Sequence, residues 1–182
     1  MFGVFAIVAV AAVAAFAVTA EPPVAVAGTC ASANAMPHDA RPATVSKAMF
    51  CLINRERRRH GLRALRLDRR LSNAATDHSR DMVRRGFFSH TNPDGLSPAE
   101  RVGRTGYLRS TRRWLVGENI AWGWHGRETA ASVVRGWMNS PPHREEILRP
   151  TFRDVGIGAV RGTPNPVPRG GGTFTVDFGV RR

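Results

Sequence analysis

The amino-acid sequence predicts an α+β domain preceded by an export segment, and three observations carry that prediction. Between Val45 and Leu148, apolar residues recur at helical spacing and are framed by helix-capping chemistry. Near the end of the chain, Phe174, Val176, Phe178 and Val180 alternate with Thr173, Thr175 and Asp177, the period of a strand with one buried face. The first 20 residues carry no charged side chain and are dominated by alanine, valine and phenylalanine, as in the apolar core of a secretion signal.

Residues 1–27 are therefore expected to be a signal peptide, with small-x-small cleavage patterns ending at Ala20 and Ala27. An uncleaved anchor is the alternative, because about 20 apolar residues can span a bilayer; membrane attachment is expected only if the segment is retained. Both readings place the remainder outside the cytoplasm. Residues 28–44 are rich in proline, alanine and serine without periodicity and read as a linker, leaving 45–182 as the domain. The two cysteines, Cys30 and Cys51, suit one disulfide in an oxidising compartment, worth about 3 kcal/mol in the chain-entropy model. Thr29 argues against lipid modification of Cys30.

The chain has 182 residues, a 42% apolar fraction and a net charge of +13, enough for one domain with a real core. A charge of that size raises the question of a nucleic-acid partner. All basic side chains except Lys47 are arginine, however, and they are scattered from Arg41 to Arg182. That skew fits a GC-rich coding sequence and a solvated surface, so no specific nucleic-acid partner is expected, and the protein is read as a monomer.

In chain order, Met49, Leu52 and Ile53 mark a helix from Val45 to His60, with Arg57 to Arg59 read as a solvated, dipole-compensating end. Asp68 is a good N-cap for a second helix with Leu71, Ala74, Ala75, His78 and Met82 on one face and Gly86 as its stop. His78 on that face reads as a buried histidine with a hydrogen-bond partner. Phe87 and Phe88 are expected to anchor the loop FFSHTNPDG in the core and present His90. Ser97, Pro98 and Glu100 form a capping box for the next helix, which accounts for Glu100. Glu118 lies in an aromatic, glycine-punctuated segment from Trp114 to Trp124; it is either a structural acid or a site residue, and the sequence leaves both open. A helix from Glu128 to Asn139 ends at Pro141 and Pro142, and a short turn from His143 to Leu148 follows. Trp122 and Trp137 are assigned to core packing. Strands are expected at Val155–Arg161 and Thr173–Val180, joined by a Pro- and Gly-rich loop.

The blocks FSHTNPDG, GENIAWG, WMNSPPHREEIL, FRDVGIGAV and TVDFG, in this order, resemble the bacterial branch of the CAP superfamily. That superfamily includes cysteine-rich secretory, antigen 5 and pathogenesis-related proteins. The resemblance covers residues 45–182 and implies a three-layer α-β-α sandwich with a central antiparallel sheet. It also implies a cleft in which His90, Glu118 and His143 match two histidines and one acid of the family's tetrad. Ser140 stands where a second acid is usual.

Three chemistries are open to such a cleft. His90, His143 and Glu118 could hold a zinc ion with water in the fourth position and run a metal-assisted hydrolysis of peptide or ester bonds. Ser140 could act as nucleophile with His143 as base and Glu118 as orienter, although Ser before Pro-Pro is ordinary turn chemistry. The cleft could instead bind a lipid, glycan or peptide of the cell envelope without catalysis. The missing second acid favours binding.

Overall fold

The computed structural model describes residues 29–165 and 170–182. The signal-peptide reading of residues 1–27 and the 166–169 part of the predicted loop lie outside the described residues. Among the described residues, no helix is long and apolar enough to cross a membrane.

The described residues form five helices and four strands, in order α1 (Pro42–Arg59), β1 (Arg66–Leu67), α2 (Arg69–Arg85), α3 (Pro98–Arg104), β2 (Trp114–Gly123), α4 (Ala130–Met138), α5 (Pro141–Leu148), β3 (Asp154–Arg161) and β4 (Gly172–Arg181). The strands form one sheet in the order β1-β3-β4-β2. Its three long strands are antiparallel, and β1 adds a two-residue parallel pair at the start of β3.

Strand alternation assigns the helices to opposite faces of the sheet. Val155, Ile157, Ala159, Phe174, Val176 and Phe178 join α1 and α4 in the main core. The intervening residues face α2, where Ser79 donates to Thr175 at 2.8 Å. α2 lies so close to β3 that a Cβ at Gly156 would collide with the Leu71 backbone, the close approach that only glycine permits. Both faces of β4 are thus covered. Thr173, Thr175 and Asp177, which alternation assigns to a solvent face, are fully buried, because α2 packs where water was expected.

The local signals for α2 and α3 are realised. Asp68 accepts from Arg70 and Leu71 N–H, Gly86 closes α2 at φ 66°, and Ser97 and Glu100 complete a capping box. The segment around Glu118 is strand β2, with Glu118 paired to Asp177.

Three expectations need correction. Residues 29–41 are not a free linker: Cys30 is buried and bonded to Cys51, with Cα atoms 5.7 Å apart. The carbonyls of Ala33 and Ala35 accept from Ala131 and Ala130 N–H at 2.8 and 3.4 Å. Those are first-turn donors of α4 that have no partner within the helix, so the segment completes α4 and belongs to the domain; α1 starts at Pro42. Arg57 is fully buried instead of solvated and donates to the carbonyls of Arg63, Ile147 and Arg149. Phe88 is 46% exposed and anchors nothing, whereas Phe87 lies against the buried His78 ring, 5.9 Å between centroids.

Candidate functional site

The edge strand β2 organises the site because consecutive residues point to opposite faces. Glu118 reaches toward the loop after α2, where its Oε1 is 2.8 Å from His90 Nδ1. Asn119 reaches the other way and donates from Nδ2 to the His143 carbonyl at 2.9 Å, fixing the start of α5. Trp137 Nε1 donates to Ile120 O at 3.2 Å, tying α4 to the same edge. One short stretch of strand therefore holds both histidine-bearing segments.

His90 is held by polar contacts instead of by phenylalanines. Arg101 donates from Nη1 to the His90 and Leu96 carbonyls at 2.6 and 2.8 Å, and from Nη2 to Glu118 Oε2 at 2.5 Å. Asn92 Oδ1 accepts from Asp94 and Leu96 N–H, closing the turn. His78 Nε2 lies 3.0 Å from Ser89 O; the acceptor there requires Nε2–H, and burial holds this imidazole below its ordinary pKa. The result is a His90 ring that is half exposed over a Glu118 side chain that is 1% exposed.

Burial alone would raise the Glu118 carboxyl. The His90 hydrogen bond and the Arg101 charge outweigh it and hold this acid below the ordinary carboxylate value. Across the strand pair, Asp177 goes the other way: full burial and the neighbouring Glu118 charge push it well above its ordinary value. Neither Asp177 oxygen has a hydrogen-bond partner among the described residues. The two adjacent acids are thus pushed in opposite directions, Glu118 down and Asp177 up.

His143, on the first turn of α5, has Nδ1 2.8 Å from Ser140 Oγ. Ser140 occupies the N-cap position of α5 but makes no capping bond, its hydroxyl being turned to the imidazole. Pro141 and Pro142 both end α4 and open α5, at the positions where a missing N–H costs least. Partial burial lowers the His143 pKa, and the charge of nearby His90 adds to the effect.

The family model for the cysteine-rich secretory protein family, CAP, matches residues 50–178. The chain belongs to the CAP family. It is 38% identical over 122 residues to the uncharacterized protein YkwD of Bacillus subtilis (strain 168), covering 65% of this chain and 45% of that one. Among solved structures it is similar to an extracellular SCP-domain protein of Bacillus anthracis str. Ames, at TM-score 0.62 and 29% identity over 78% of this chain and 41% of that one. It is likewise similar to an outer surface protein of Borrelia burgdorferi, at TM-score 0.62 and 26% identity over 75% of this chain and 92% of that one. The chain thus spans under half the length of either Bacillus protein.

Within this CAP domain, the arrangement narrows the chemistry. Both Glu118 oxygens are taken, by His90 and by Arg101, so the acid stands behind His90 and not beside it as a third ligand. Among the described residues, no group of three His, Cys, Asp or Glu side chains is placed to hold a metal ion. The zinc set His90, Glu118 and His143 does not fit as arranged, because neither Glu118 oxygen is free to coordinate. The serine chain is also incomplete: Ser140 meets His143, but Glu118 orients His90. Of the tryptophans, Trp137 is buried as expected, while Trp122 is only half-buried on the same face of β2 as Glu118.

Arg101 and Asp177 are the site residues that sequence reasoning missed. Arg101 lies in the last turn of the short α3, where a cation suits the macrodipole, so nothing local sets it apart in so arginine-rich a chain. Asp177 falls on the polar side of an alternating strand, and only the packing of α2 buries it.

Proposed function

We propose that this CAP protein acts outside the cytoplasm as a binding module whose His90–His143 cleft takes a polar ligand of the cell envelope, with a glycan as the first candidate. The observation that carries this reading is the saturation of Glu118 by His90 and Arg101. The carboxylate is committed to orienting an imidazole, and the other acid nearby, Asp177, is sealed in the core. What remains open to a ligand is a pair of imidazole Nε2 atoms, suited to hydroxyl, carboxylate or phosphate groups. The half-buried Trp122 ring offers apolar surface on the same side of β2. An extracellular location is supported by the extracellular and surface proteins that the chain resembles.

The same His90–Glu118 contact favours a second reading, hydrolysis of a bound envelope ligand with His90 Nε2 as the proton-accepting group. Titration of the ¹⁵N-labelled protein with soluble cell-wall glycan fragments, lipid headgroup analogues and short peptides tests the first reading. Joint shifts of the His90 and His143 side chains, lost in His90→Ala, are expected with glycans. Release of new reducing ends or amines during the same titration would replace binding by hydrolysis. No cleft response to any of the three probes refutes both.

A further inference from the structure

A second feature lies at the opposite edge of the sheet from Glu118. β1 covers β3 only at Asp154 and Val155. From Gly156 to Arg161 the outer edge of β3 faces a groove of about 570 Å³ between α1 and α2. Gly162 N–H donates to Gly171 O at 3.1 Å, so with the observed register the even-numbered residues of β3 bond β4 and the odd-numbered residues direct N–H and C=O outward. Val155 O is used, accepting from Asp68 N–H at 2.9 Å. Ile157 has only long contacts, its N–H to Ser72 Oγ at 3.4 Å and its carbonyl from Ser46 Oγ at 3.5 Å. The outward backbone groups of Ala159 and Arg161 have no partner among the described residues, although Ala159 is 2% exposed. Backbone groups in that condition are the template for an added strand.

The walls specify what kind of strand fits. The α1 side is mainly apolar, with Pro42, Ala43 and Phe50 beside Ser46 and Lys47; the α2 side is polar, with Ser72, Thr76 and Arg80. Side chains of an added strand alternate between the two walls. Lys47 on the rim and Arg80, whose contact with Asp77 is an exposed one at 3.4 Å, supply positive charge in a chain of net charge +13. We infer that this groove binds an extended peptide segment of alternating apolar and acidic residues, paired to the Ala159 and Arg161 backbone, with its apolar side chains toward Pro42, Ala43 and Phe50 and its carboxylates toward Arg80, while Lys47 at the α1 rim adds to the positive field. From Ile157 to Arg161 the edge has room for about four residues at roughly 3.3 Å each. This site is separate from the histidine cleft and does not depend on the function proposed for it.

The test uses the intact chain, ¹⁵N-labelled, and an acetylated seven-residue peptide alternating valine and glutamate. On binding, the Ala159 and Arg161 amides are expected to shift and to gain at least tenfold protection from hydrogen exchange, with affinity falling as salt rises. The double variant Lys47→Glu/Arg80→Glu, both surface changes, should lose at least tenfold in affinity for this peptide and gain affinity for a valine–lysine counterpart. The inference is overturned if those two amides do not respond at millimolar peptide or are already protected in the peptide-free chain. It is also overturned if the charge-reversed variant binds the acidic peptide equally well, or if the groove responds only to fatty acid or to rising protein concentration.

Discussion

Replacing Arg101 by methionine tests the electrostatic construction of the cleft. The side chain is 9% exposed and makes three short charge-assisted bonds, to Glu118 Oε2 at 2.5 Å and to the His90 and Leu96 carbonyls at 2.6 and 2.8 Å. Its loss leaves a Glu118 side chain that is 1% exposed with His90 as its remaining hydrogen-bond partner among the described residues. Removing one member of a buried ion pair costs about 3–5 kcal/mol, most of it from the charge left behind. With a urea slope of about 2 kcal/mol/M, the unfolding midpoint at pH 7 should fall by about 2 M. Adding Glu118→Gln to Arg101→Met removes the orphaned charge and should recover more than half of that loss. The pH dependence has a definite sign. A carboxyl held below its ordinary value contributes stability that is present above that value and is lost as pH falls through the folded one. Without Arg101 the loss should begin at higher pH. A destabilisation below about 1 kcal/mol, or a double variant no more stable than the single one, refutes the reasoning.

Asp177→Asn should stabilise the protein by about 1–2 kcal/mol at pH 8 and flatten the pH dependence, since an acid whose folded value is raised loses stability as pH rises above its ordinary value. Urea unfolding at pH 5 and pH 8 compares the two proteins; equal slopes contradict the assignment. Reduction of Cys30–Cys51, or the double serine variant, should cost about 3 kcal/mol and free the 29–41 segment first, visible as early exchange of the Ala130 and Ala131 amides. Arg57→Met should cost about 2–4 kcal/mol, because three carbonyls around a fully buried guanidinium lose their donor; an unchanged thermal midpoint would return Arg57 to the solvated surface.

Local chemistry was legible in the sequence. The caps at Asp68 and Ser97, the stop at Gly86, and the alternation in β4 each depend on near neighbours and appear where expected. The disulfide partners followed from there being two cysteines. The grouping of His90 with His143 came from resemblance, because the attachment of both segments to β2, through Glu118 and Asn119, is a property of the fold. What could not be read were events that need a distant partner. Arg57 and Arg101 look like their many solvated counterparts until the carbonyls and carboxylate that bind them are assembled. Asp177 sits on a polar stripe that becomes interior only when α2 is laid across it. The 29–41 segment lacks periodicity because it is ordered by α4 donors and a disulfide, not by repeats of its own.

The central claim, a binding cleft in which buried Glu118 orients His90 beside His143, is tested most directly by ¹⁵N NMR of the histidine rings with and without cell-wall glycan fragments. The account predicts that His90 Nδ1 is protonated in the free protein and that the Nε2 resonances of His90 and His143 shift together on addition of ligand. A His90 ring with bare Nδ1, or a glycan response confined to residues outside the cleft, would contradict it.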